Sequence, residues 1–94
     1  MNSPFEWDRT KARSNLWAHG VSFEEATTVF TDSFSLTIPD PDHSLEEDRF
    51  VILGQSETGA LLVVVHSERQ GRIRIISARQ ATRHERVTYE EDQR

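Results

Sequence analysis

Between Arg49 and Ala78 the chain holds three β-rich runs, Arg49 to Gly54, Ala60 to Ser67 and Arg72 to Ala78, set apart by Gly59 and Gly71 in turn positions. Short runs rich in Val and Ile and closed by glycine turns predict an antiparallel meander. In the last run Ile73 and Ile75 alternate with Arg72 and Arg74, so that strand has an apolar side and a charged side. A sheet with an apolar face needs a second layer to cover it.

The N-terminal half predicts that layer. Phe5 and Trp7 flank Glu6 with strand alternation, and Asp8 offers an N-cap to a helix over Arg9 to Ala18, closed by His19-Gly20. Ser22-Phe23-Glu24-Glu25 reads as a capping box, in which the serine hydroxyl and the Glu25 side chain each satisfy a free N–H at the start of a second helix. Phe23, Ala26 and Phe30 then share one face. Phe34, Leu36 and Ile38 alternate with polar residues as a short strand before the loop Pro39 to Ser44. Thr82-Arg83-His84-Glu85 is a second capping box, opening a terminal helix to about Glu91. The order β-α-α-β-β-β-β-α is an α+β fold, with two N-terminal helices and one C-terminal helix packed on a twisted, mainly antiparallel sheet.

With 94 residues, 35% of them hydrophobic, the chain is large enough for one core and too short for two, so residues 1–94 are read as one domain. Phe5, Trp7, Trp17, Phe23, Phe30, Phe34, Phe50 and Tyr89 carry most of the aromatic area available to that core. The absence of cysteine removes disulfides and thiolate zinc sites and fits a reducing compartment. No signal-peptide pattern opens the chain, and Ala60 to Val65 is far short of the roughly 20 apolar residues that span a bilayer. The expectation is a soluble, cytoplasmic protein with no membrane association.

A net charge of -5 argues against non-specific binding to a polyanion. The distribution qualifies this. Residues 69 to 86 hold Arg69, Arg72, Arg74, Arg79, Arg83 and Arg86 against Glu85 alone, which reads either as a focused anion site or as a solvated face paired with carboxylates elsewhere. Arg79 ends a strand and Arg83 lies on the first turn of a helix, where free N–H groups and the helix dipole already favour anions. Two guanidiniums there suit a phosphate and the charge that develops as a phosphodiester is cleaved, and Arg69, in the turn one strand away, belongs to the same face. In the structural alternative, Arg79 and Arg83 pair with Glu47 or with Glu90-Glu91-Asp92 and tether the helix.

Cleavage of RNA without a metal needs a base for the 2′-hydroxyl proton, cations for the phosphorane and an acid for the leaving oxygen. Glu47 is a candidate base, and His66, His43, His84 and Tyr89 are candidate acids. The histidine spacing matches no zinc signature, and Asp40 and Asp42 form no calcium-loop pattern, so neither metal nor cofactor is expected. The two N-terminal helices are a poor helix-turn-helix reader, since the second opens Phe23-Glu24-Glu25 and carries no basic residue.

Beyond these local patterns, the chain resembles a known family. The residues are Phe5-Glu6-Trp7-Asp8, Lys11, Asn15, the run from His19 to Ala26, Val29-Phe30, Asp42-His43-Ser44, Glu47, Arg49-Phe50 and Gly54, then Leu61 to His66, Arg69, the run from Ile73 to Arg79, Ala81, Glu85 and Tyr89-Glu90. In this order they resemble BrnT toxins of type II toxin–antitoxin systems. The resemblance implies a RelE-like fold and a metal-independent endoribonuclease that inhibits translation. It also implies neutralisation by a BrnA-type ribbon-helix-helix antitoxin, in a heterotetramer that meets operator DNA only through the antitoxin. Its implied catalytic residues are Glu47, Arg69, Arg79 and Arg83; of the candidate acids, His66 and Tyr89 are taken as catalytic on their chemistry, and Lys11, Arg49, Arg72 and Arg74 are expected to bind RNA. Lys11 and His19 also match family positions that fix the first helix. Family members commonly have a lysine before the His-Gly pair, where this chain has Ala18. That departure, with the acidic balance, motivates the alternative of a catalytically silent module that only binds the antitoxin and serves as co-repressor.

Overall fold

The computed structural model describes residues 3–43 and 48–93. Among them, five strands form one mixed sheet in the order β1-β5-β4-β3-β2. The strands are β1 (Phe5–Glu6), β2 (Leu36–Pro39), β3 (Arg49–Gln55), β4 (Leu61–Arg69) and β5 (Arg72–Gln80). Strands β3, β4 and β5 form the expected antiparallel meander, β2 adds antiparallel to β3, and the two-residue β1 runs parallel to β5, with Phe5 opposite Ile73. The helices are α1 (Arg9–His19), α2 (Phe23–Thr27) and α3 (Arg83–Glu91).

The helix starts follow the sequence. Asp8 accepts from the Lys11 N–H, Ser22 from Glu25 and Thr82 from Glu85, each satisfying one free donor of a first turn, and Gly20 closes α1 in the left-handed conformation. The Thr82 box is complete, because Glu85 accepts from the Thr82 N–H in return. The expected Ser22 box is only half formed. The Glu25 carboxylate turns away and accepts from the Ser56 and Thr58 hydroxyls at 2.8 and 2.7 Å, fixing the β3–β4 turn to α2. The second helix is also shorter than expected: after Thr27 the chain tightens to a 3-10 turn, Thr28–Thr31. Its repeat of three puts Phe23, Ala26 and Val29 on one stripe, all fully buried.

Strand β4 alternates cleanly. Leu62, Val64 and His66 face α1 and α2, while Leu61 and Val63 face α3. Fully burying a large apolar side chain such as Phe23 or Leu62 contributes roughly 1.5–3 kcal/mol, so these two layers account for much of the stability. Trp17 and Phe34 do not join the core; they are 90% and 56% exposed. Trp17 sits on the outer side of α1, and Phe34 precedes β2 in a turn held by Asp32. Gly54 is required by close approach, since a Cβ there would lie 3.2 Å from the Val29 carbonyl oxygen and 3.1 Å from the Ser35 Cβ.

Two irregularities in β4 and β5 set the functional face. The β4–β5 turn is Gln70-Gly71, both at positive φ (54° and 78°), the geometry of a two-residue hairpin. Arg69, expected in the turn, is instead the last residue of β4, opposite Arg72. At the middle of the ladder His66 pairs with Ile75 and Val65 with Ser77, so Ile76 is an extra residue, a β-bulge. Below it Ile73 and Ile75 face the α1/α2 core; above it Ala78 does. Unbroken alternation from Ile75 would turn Arg79 into that core, and the bulge places it on the side of Arg72 and Arg74.

Candidate RNA-binding face and proton-transfer site

The sheet side away from α1 and α2 is only partly covered. At one end Tyr89 of α3 packs on Leu53, Leu61 and Val63. Its hydroxyl donates to Asp32 at 2.5 Å, and Asp32 also accepts from the N–H groups of Gln55 and Phe34 at 2.8 and 2.9 Å. Burial pushes the Asp32 carboxyl up, but these three donors outweigh it and hold it below the ordinary range. Burial, reinforced by the Asp32 charge, pushes the Tyr89 phenol up to about 12. Tyr89 therefore fastens α3 to the sheet, with its proton committed to Asp32.

The rest of that side is an open basin of about 620 Å³ lined by Lys11, Arg49, Arg69, Arg72 and Arg74, with Glu6 and Asp48 as its carboxylates. Glu6 on β1 accepts from Arg72 Nε at 2.6 Å and from Arg74 at 3.2 Å, and these two guanidiniums hold its carboxyl below the usual value. Arg69 lies 3.3 Å from Asp48. In these pairs Arg69, Asp48, Arg72 and Arg74 remain about half exposed or more and the Glu6 side chain is 38% exposed, so the pairs are readily exchanged for phosphate contacts. Among the described residues the lining of this basin holds five cations and two carboxylates.

Arg49 and Ile76 also line a second groove of about 390 Å³, which continues the basin toward the Pro41–His43 3-10 turn. Its other polar lining groups include Asp40, His43, Ser77, Arg79 and Glu85. Arg79 donates both NH groups to Glu85, at 2.8 and 2.9 Å. That bidentate contact, with the Thr82 N–H, draws the Glu85 carboxyl down from 4.5 to about 2, and the Arg79 guanidinium is raised in return. The tethering partner of Arg79 is thus the capping-box glutamate itself, and not the terminal acidic run.

Of the residues expected in a site, the structure brings Lys11, Arg49, Arg69, Arg72 and Arg74 into one basin and Arg79 into the adjoining groove. It does not bring His66 there. His66 is fully buried on the opposite side of the sheet, between Phe30 and Phe50, with Nε2 3.0 Å from Glu68. The even position of His66 in β4 fixes that side, since β4 runs without a bulge of its own. Tyr89 is a strut rather than a neighbour of the arginines in either groove lining. Arg83 is exposed on α3 and lines neither groove, and Glu47 lies outside the described residues.

Two site features were not legible in the sequence. Asn15 on α1 is buried and grips β5 at the level of Ala78, donating to the Ala78 and Val21 carbonyls and accepting from the Ala78 N–H; it sets the wall from which Lys11 overlooks the basin. Asp40 is the second. Its side chain is 5% exposed and lies 3.0 Å from His43 Nδ1, whereas Asp40 in the sequence looks like one more acidic loop residue.

A family model described as "Ribonuclease toxin, BrnT, of type II toxin-antitoxin system" matches residues 7–85. Among solved structures, the chain is similar to the 1.1 Å crystal structure of the Brucella abortus ribonuclease toxin, BrnT, with a TM-score of 0.66 and 20% sequence identity, over 84% of this chain and 96% of that one. At that identity the likeness shows a shared fold. No curated protein sequence matches the chain.

Proposed function

Since the chain belongs to the family of BrnT ribonuclease toxins of type II toxin–antitoxin systems, whose toxins have a protein antitoxin as partner, we propose that it is a metal-independent endoribonuclease that inhibits translation. The observation that carries this reading is the basin of Lys11, Arg49, Arg69, Arg72 and Arg74 running into the groove of Arg79. A single strand of RNA laid along it meets cations along its backbone, and a phosphate over the Arg79 end lies beside guanidiniums that stabilise the phosphorane charge. Arg69 and Arg79 are assigned to charge stabilisation, Arg83 to the approach of the strand, and Glu47, on the family resemblance alone, to the removal of the 2′-hydroxyl proton. The fold likeness supports a RelE-like architecture.

The partner is proposed to be a BrnA-type ribbon-helix-helix antitoxin, forming a heterotetramer that binds operator DNA through the antitoxin. Trp17 and Leu16, 90% and 50% exposed on α1, leave apolar area in water that a partner protein can cover. Among the described residues, no helix is long and apolar enough to cross a membrane.

Purified protein incubated with RNA and a chelator tests the reading. Cleavage that persists with chelator and is lost in Arg79→Ala, with the helical signal intact, supports it; no cleavage at any protein concentration removes it. A second reading, a silent antitoxin-binding module, is favoured by the pairing of Arg79 with Glu85 and of Arg72 and Arg74 with Glu6. Expression without the antitoxin separates the two: growth arrest relieved by Arg69→Ala or Arg79→Ala rejects the silent module, and harmless expression rejects the toxin.

A further inference from the structure

We infer that His43, oriented by the buried carboxylate of Asp40, is the general acid that protonates the leaving 5′-oxygen when RNA is cleaved; the inference rests on the ribonuclease reading above. The two side chains belong to the loop between β2 and β3, whose first turn is Pro41–His43. Asp40 Oδ2 lies 3.0 Å from His43 Nδ1. An ionised carboxylate only accepts, so Nδ1 carries the hydrogen of that bond and Nε2 is the ring's outward position. The Asp40 side chain is 5% exposed and that of His43 43%, one partner anchored and the other presented to the groove.

The pair is more than a turn cap. Asp40 Oδ1 already accepts from the Asp42 N–H at 3.0 Å, and the Asp40 carbonyl accepts from the His43 N–H at 3.2 Å. The turn's amides are satisfied without the imidazole, so the Oδ2–Nδ1 bond is left to orient the ring. A carboxylate–histidine pair facing a cleft beside guanidiniums is a proton-transfer device. Among the described residues, the charged groups around it are Asp40 and Asp42 on its own loop, Arg49 on β3, Arg79 on β5 and Glu85 on α3, the last two held to each other. Of the other candidate donors, His66 is on the far side of the sheet, the Tyr89 proton is held by Asp32, and His84 lines neither groove.

In the step, the 2′-oxygen bonds to phosphorus and its proton passes to a general base. The bond from phosphorus to the 5′-oxygen breaks with its electron pair on that oxygen, which takes the proton from His43 Nε2. The products are a 2′,3′-cyclic phosphate and a 5′-hydroxyl, and the neutral imidazole regains its proton from water.

The test compares two oligoribonucleotides containing the site the wild type cleaves, one natural and one with sulfur as the bridging 5′-atom, since a thiolate leaves without an acid. His43→Gln is expected to slow cleavage of the natural strand by ~10²-fold or more yet cleave the sulfur strand within about tenfold of wild type. Asp40→Asn, a positioning change, is expected to lose less than His43→Gln, and to lose it on the natural strand and not on the sulfur strand. Because both strands meet the same variant, a folding defect slows them equally and cannot imitate rescue. Equal losses on the two strands, or a natural-strand rate unchanged in His43→Gln, overturns the acid role. A wild type that cleaves neither strand removes the ribonuclease reading itself, a result distinct from either.

Discussion

Arg79 at the end of β5 holds Glu85 in the first turn of α3 by two parallel hydrogen bonds of 2.8 and 2.9 Å, and the same glutamate closes the capping box with Thr82. One carboxylate thus joins the sheet to the helix and restrains an arginine of the groove.

Glu85→Gln separates these tasks by pH. The folded-state carboxyl is depressed from 4.5 to about 2, so its stabilisation is complete above about 4.5 and is lost as pH falls through 2. Urea unfolding at pH 7 is expected to show the variant weaker by about 1 kcal/mol, a modest value because the Arg79 side chain is 42% exposed. The gap should narrow between pH 4.5 and 2; a gap independent of pH there counts against the ion pair as its source.

Tyr89→Phe removes the donor to Asp32 and should cost about 2 kcal/mol, as expected for a partly buried bond to a charged acceptor. The wild-type phenol is raised from 10.0 to about 12, so its contribution is whole below pH 10 and disappears as pH rises through 12. The chain has one tyrosine, so absorbance titration reads this group directly. A midpoint near 10 in the folded protein contradicts the Asp32 contact.

Asn15→Ala leaves the Ala78 N–H and the Ala78 and Val21 carbonyls without the side chain that serves them in the interior. An unsatisfied buried polar group costs about 1–3 kcal/mol, so a loss of about 3 kcal/mol or more is expected in urea. Asn15→Asp should be worse, since a carboxylate would face two carbonyl oxygens. A loss under about 1 kcal/mol in both variants would show that α1 is held to β5 by packing alone.

Glu6→Gln frees Arg72 and Arg74 from their shared carboxylate. RNA binding measured across a salt series should tighten several-fold at low salt. Its logarithmic salt slope should steepen by up to ~0.7 for each new phosphate contact. Arg72→Ala should move both quantities the other way. An unchanged slope in both variants would place the RNA elsewhere on the protein.

Much of the fold was legible in local patterns. Alternation in β3 to β5, the Asp8, Ser22 and Thr82 caps and the left-handed Gly20 depend on residues a few positions apart, and each element formed where those residues stand. The site was legible as composition, a cluster of arginines, but not as geometry. Ser22 and Glu25 show the limit: the spacing of a capping box is present, yet the glutamate serves Ser56 and Thr58 across the sheet edge. Asp40 and His43 show the converse, a pair hidden in an acidic stretch because the burial of Asp40 becomes visible only when the Pro41–His43 turn stands beside the groove.

By itself, then, the sequence determined the order of elements, the turns, the caps and the apolar stripes, because these are set by backbone dihedrals and side-chain periods within a few residues. Only the tertiary structure decided that β1 joins β5 in parallel, that the extra residue Ile76 turns Arg79 to the open side, and that His66 belongs to the core. Register across a sheet is chosen by which set of distant side chains packs best, and a shift of one residue exchanges its two faces. That choice, made between strands, assembled the basic face of an acidic chain.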